Sequence, residues 1–145
     1  HAWDHQPEAP AHELRFGLVS SAPDGGGFVT EADLLDLHLG FWRSVLPLLA
    51  PAVTVEMAVF DGVLERLLTE RGTHSDVLVA TGDKQAWSNP YTTAAFRLIA
   101  DAGEGRLELG DAGFVGWTQA LTRNRKDRCL VSGVVVDRLL GLRAP

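Results

Sequence analysis

The chain has 145 residues, 46% of them hydrophobic, which suits one globular domain able to bury a sizeable core. A formal net charge of −6 argues against general nucleic-acid binding, which relies on Lys and Arg to neutralise phosphates. No apolar run approaches the roughly 20 residues of a membrane span, and the single cysteine, Cys129, excludes an internal disulfide framework and suits a reducing, cytoplasmic setting.

Residues 1–13 are rich in Pro and His, carry no periodicity, and read as an extended arm ahead of a single α/β domain over 14–145. His1, His5 and His12 match no familiar metal spacing. An N-terminal His can chelate copper through its amine and ring, but such sites sit on β-sandwiches, which the helix–strand alternation here does not suit. No metal and no cofactor are expected. Residues 14–20 predict a buried strand, and Pro23-Asp24-Gly25-Gly26-Gly27 a flexible turn. That glycine run lacks the Lys-Ser/Thr ending of a phosphate-binding P-loop. Thr30-Glu31-Ala32-Asp33 looks like a capping box opening a helix. Its buried side is marked at helical spacing by Leu34, Leu35, His38, Phe41, Trp42, Val45, Leu46 and Leu49. His38 on that stripe reads as a hydrogen-bonded core or edge residue. Pro47 and Pro51 bracket the helix end.

Val53–Val59 predicts a second strand, 63–70 a short helix closed by Arg71-Gly72, and 76–80 a third strand buried on both sides. Asn89-Pro90 pairs a cap residue with a first-turn proline and predicts another helix, filled by Phe96, Leu98, Ile99 and alanines. Residues 106–109, 114–121 and 130–136 complete the strands, and a short apolar tail follows. Strands alternating with helices predict an α/β domain, a layered mixed or parallel sheet with flanking helices.

Candidate chemistry is sparse. Asp61, beside Phe60 at a strand-to-helix turn, is either an acid or base or the cap of the following helix, the cap being the plainer reading. Asp83 with Trp87 either lines a pocket or lies in an exposed polar loop. Asp111 in Gly110-Asp111-Ala112-Gly113 suits a turn. Cys129 at a strand start reads as a small buried hydrophobe more readily than as a nucleophile. The basic run Arg123-Asn124-Arg125-Lys126-Asp127-Arg128 is a solvated loop or a docking patch for an acidic partner.

Three segments, in order, resemble the N-terminal half of the thiolase-like superfamily, most nearly its ketoacyl synthase III branch. Met57-Ala58-Val59-Phe60-Asp61-Gly62-Val63 is similar to the family's nucleophile turn, usually Ala-Ala-Cys-x-Gly-Phe. Matching Gly62 to the family's glycine puts Phe60 at the cysteine position; the longer-chain synthase pattern would put Val59 there. Neither can attack a thioester. The segment from Ser75 to Asp83 looks like the family's next strand, and Leu107 to Val115 resembles its Phe-Gly-Asp-Gly-Ala-Gly-Ala segment. The resemblance spans residues 14–121 and implies one half of a thiolase-like fold. That implies a non-catalytic partner subunit in fatty-acid or polyketide-type biosynthesis. It would dimerise with a ketosynthase-like subunit or with itself, and an acyl carrier protein would meet the basic run. The alternative is an acyl-thioester hydrolase, lyase or acyltransferase with Asp61 as the catalytic group and Phe60, Asp83, Trp87 and Asp111 around the substrate.

Overall fold

Six strands hydrogen-bond into one sheet, ordered β1-β6-β5-β4-β2-β3. The computed structural model describes residues 13–50, 52–73, 78–80, 87, 91–101 and 105–143. The elements run β1 (Arg15–Pro23), α1 (Val29–Leu49), β2 (Val53–Val59), α2 (Gly62–Arg71), β3 (Leu78–Ala80), β4 (Thr92–Asp101), β5 (Arg106–Val115), α3 (Trp117–Thr122), β6 (Asp127–Val135) and α4 (Val136–Arg143). The architecture is mixed α/β, but the sheet is not the parallel one that alternating strands and helices suggest. The five strands from β1 to β2 pair antiparallel, and only β2 and β3 run parallel.

The largest departure from the sequence reading is β4. A helix was the expectation after Asn89-Pro90, because a cap, a proline and four alanines favour one. Along Thr92–Asp101, however, Ala94, Phe96, Leu98 and Ala100 face the main core, while Ala95, Arg97 and Ile99 face the other way. That alternation of two is satisfied by a central strand between β2 and β5, and tertiary pairing overrides alanine's helical preference. Residues 106–109 and 114–121, expected as two strands, are one strand, β5, running into the short helix α3. The apolar tail is α4, whose Leu139 is buried against the core. Asp76 and Val77, which were to open the third strand, and the arm over 1–12 lie outside the described residues.

Helix α1 covers one face of the sheet. It opens two residues earlier than the capping box predicts: Phe28, not Thr30, holds the cap position at φ 64°, with no side-chain cap bond. The Thr30 hydroxyl instead folds back on the glycine turn, accepting from Gly25 N–H at 2.8 Å and donating to the Pro23 carbonyl at 2.8 Å. Pro47 lies inside the last turn of α1, just before its end at Leu49. Leu35, Leu39, Trp42 and Leu46 then meet Met57, Phe96, Ala112, Leu130 and Val134 from four strands. Inside this apolar layer sits one polar knot. His38 is fully buried, with Nδ1 2.7 Å from Ser132 Oγ and Nε2 2.9 Å from Ser20 Oγ, and Trp42 Nε1 donates to Ser132 Oγ at 2.9 Å. All four side chains are satisfied when Ser132 donates to Nδ1 and Nε2–H donates to Ser20. The knot ties α1 to β6 and β1, so a buried polar group is retained at little cost.

Helix α2 is fixed at both ends. Asp61 accepts from Val63 N–H at 2.8 Å and Leu64 N–H at 3.3 Å, and Gly72 closes it at φ 73°, a conformation glycine adopts without a Cβ penalty. Arg71 crosses to Asp33 and Asp36 of α1 at 2.7 and 3.1 Å.

Candidate ligand site on the open sheet face

Because side chains alternate along a strand, the antiparallel register writes the second face of the sheet as rows. One row reads Glu56, Arg97, Asp111, Gly133 and Gly17 across β2, β4, β5, β6 and β1. The next reads Ala58, Ala95, Gly113, Val131 and Val19. The first row is charged at one end and bare glycine at the other. The second is small in its centre, where Ala58 and Ala95 are fully buried.

Aromatic rings use the space that the small residues leave. Tyr91 lies on Gly113, so closely that a Cβ built there would fall 2.1 Å from the ring. Trp87 is buried with Tyr91, Ala58 and Ala95, and partly buried Phe60, Val115 and Val131 pack around them. The guanidinium carbon of Arg97 stands 4.0 Å from the Trp87 ring centre, a cation–π contact. Arg97 also sits 3.6 Å from both Glu56 and Glu108, and Arg106 reaches Glu56 at 3.1 Å. This network is half-exposed, so it orients the side chains more than it stabilises the fold.

Beside this cluster the glycine end of the charged row opens into a cleft of about 280 Å³. Arg15 of β1, Asp111 of β5, Tyr91, Trp117 of α3 and Gly133 line it. The cleft therefore offers one carboxylate, the Arg15 guanidinium (which also pairs with Glu13 at 2.7 Å) and two aromatic walls over a glycine floor. Its size and mix suit a small polar ligand with a planar part.

The residues singled out from sequence are distributed unevenly. Trp87 and Asp111 both reach the open face, Trp87 on Arg97 and Asp111 in the cleft. Phe60 packs into the aromatic cluster, and its N–H donates to the Thr93 carbonyl at 2.7 Å. Asp61 spends its carboxylate on the α2 N-terminus. Asp83 lies outside the described residues. Cys129 is buried, and burial pushes its thiol pKa up, away from a nucleophilic thiolate. In the basic run, Arg123 closes α3 at φ 56°, Asn124 folds the turn through Lys126 N–H, and Arg128 pairs with Asp24 at 3.1 Å. Among the described residues, no group of three or more His, Cys, Asp or Glu is placed to hold a metal ion, and no helix is long and apolar enough to cross a membrane.

No known protein family and no curated protein matches the sequence. Solved structures do match the fold. The apo histidyl-tRNA synthetase of S. aureus superposes with a TM-score of 0.63 at 13% identity, over 90% of this chain and 39% of that one. A protein from Aeropyrum pernix named for threonyl-tRNA synthetase superposes with a TM-score of 0.50 at 11% identity, over 90% of this chain and 36% of that one. The chain thus spans well under half of either neighbour.

These likenesses overturn the thiolase-like resemblance and what it implied. The fold is of the kind found in aminoacyl-tRNA synthetases, not half of a ketoacyl synthase. Neither the ketosynthase partner subunit nor the acyl-thioester enzyme built on Asp61 stands. The physical reason is visible at the motifs themselves. Val53–Asp61 is a strand ending in a helix cap, and Gly110-Asp111-Ala112-Gly113 is the middle of the antiparallel strand β5, not a turn. Short runs of small residues with Gly-Asp pairs fit both settings.

Proposed function

We propose that this chain is a synthetase-like domain that binds a free amino acid, histidine, on the open face of its sheet. The observation that carries the reading is the cleft where Asp111 and Arg15 lie over Gly133 between Tyr91 and Trp117. An α-amino acid carries an ammonium and a carboxylate, which Asp111 and Arg15 complement by charge. The two aromatic walls favour a planar imidazole over the short, branched side chain of threonine. Histidine and threonine are the amino acids in the names of the two structural neighbours. The net charge of −6 does not favour a polyanionic tRNA as the ligand of this chain. Titration calorimetry against histidine and threonine tests the reading. Saturable binding of histidine, weaker binding of threonine, and a loss of about tenfold in Asp111→Asn are expected. Equal affinity for both amino acids, or histidine binding unchanged in Asp111→Asn, contradicts it.

A further inference from the structure

A second pocket, away from the open face, holds a buried acceptor with no hydrogen-bond donor. It lies at the end of the sheet where α1 begins, and the chain is drawn together there by the bond from Asp24 N–H to the Lys126 carbonyl at 2.7 Å. The pocket encloses about 280 Å³ and is lined by Phe28, Glu31, Thr93, Gln119, Arg125 and Arg128, among others.

Glu31 is only 4% exposed. Its Oε2 stands 3.8 Å from Arg128 Nε, and its Oε1 makes no hydrogen bond. A buried carboxylate oxygen without a donor is costly, by more than a typical hydrogen bond contributes when made. Burial accordingly pushes the carboxyl pKa up, although Arg128 and the backbone N–H of Glu31 oppose the shift. Arg128 cannot turn to relieve it. Its NH1 donates to the Arg125 and Asp127 carbonyls at 2.7 and 3.1 Å, and its NH2 donates to Asp24 at 3.1 Å. Gln119 is likewise held, its amide donating to the Asp127 carbonyl at 2.9 Å. What is lacking is a donor from outside. Arg125, exposed and without an ion pair among the described residues, provides a cation to balance whatever enters.

We infer that this pocket is a second ligand site, which takes a small zwitterion: its ammonium donates to Glu31 Oε1 and its carboxylate faces Arg125. The local charge supports a zwitterion over a simple amine or a simple anion. Glu31 and Asp24 are balanced by Arg128 and Arg125, so a ligand with no net charge enters without leaving a charge uncompensated. The volume, like that of the open-face cleft, is near the lower end for ligand pockets and suits a single amino acid. The inference does not depend on histidine binding at the open face.

The test uses the whole chain, with glycine, alanine and serine as probes and NMR shifts of the Glu31, Thr93, Gln119 and Arg125 amides as the readout. Saturable shifts at those amides are expected with at least one probe. The N-acetyl form, which lacks the ammonium, and the methyl ester, which lacks the carboxylate, should each bind about tenfold more weakly. Glu31→Gln and Arg125→Ala should each lower affinity to the same degree, while Asp111→Asn leaves it unchanged. Arg125→Ala alters an exposed side chain, so it and the two derivatives decide the matter even if Glu31→Gln unfolds the protein. No saturable shift with any probe, binding retained by the N-acetyl form, or shifts reproduced by acetate or phosphate alone would overturn the inference.

Discussion

The two faces of the sheet are built from the same strands and differ in what the alternation gives each of them. On the covered face, Phe96, Leu98, Leu130 and Val134 meet the apolar stripe of α1, and the His38 knot satisfies the polar groups enclosed there. On the open face, the intervening positions carry Glu56, Arg97 and Asp111, or shrink to Ala58, Ala95, Gly113 and Gly133. One face spends its residues on packing. The other carries charge, packs aromatic rings over its small residues, and leaves a cleft open beside Asp111.

Substitutions can separate these faces. The largest effect belongs to the covered one: Trp42→Ala removes a buried ring and the donor to Ser132, and should cost about 3–5 kcal/mol in denaturant unfolding. On the open face, Gly113→Ala pushes a methyl into Tyr91 and should cost about 1–3 kcal/mol. It should also displace the cleft wall, so histidine affinity falls with stability, whereas Trp42→Ala lowers stability alone while the fold persists. Asp61→Ala removes a helix cap and should cost about 1 kcal/mol without changing ligand affinity. A change in affinity there would return Asp61 to the site.

The smallest effect is a pH dependence. Burial lowers the pKa of His38 below its ordinary 6.5, so the unfolded chain takes up a proton before the folded one does. Stability is therefore fully present above about pH 6.5 and declines as the pH falls from there towards the folded pKa. His38→Gln should remove that share of the slope, measured as the difference between variant and wild-type unfolding curves across pH 5–7. An identical slope in the variant would place the titrating group elsewhere.

Legibility in the sequence follows the same division. The bounds of β2 can be read directly, because Val53–Val59 is β-branched, alternating and fenced by Pro51 and the Asp61-Gly62 turn. The stripe of α1 is equally plain, since an amphipathic helix over a sheet repeats its apolar residues locally. β4 is not legible: its Ala95 sits in cross-strand register with Ala58 and Gly113, which no local window reports. The mostly antiparallel pairing is hidden for the same reason. Asp111 and Trp87 could be picked out as chemistry-bearing residues, but on a resemblance that did not hold. Arg15, Arg97 and Trp117 carry no local signal. They converge only through strand register, and the one hint is a single small open-face residue in each of β4, β5 and β6, namely Ala95, Gly113 and Gly133.

On the proposed reading the open face, not the covered one, meets the ligand. Methyl NMR during a histidine titration tests it most directly, because adjacent β6 residues report opposite faces. Saturable shifts of the Val131 and Val115 methyls are expected, with Leu130 and Val134 unmoved. Shifts confined to Leu130, Val134 and the α1 leucines, or no saturable shift at all, would contradict it.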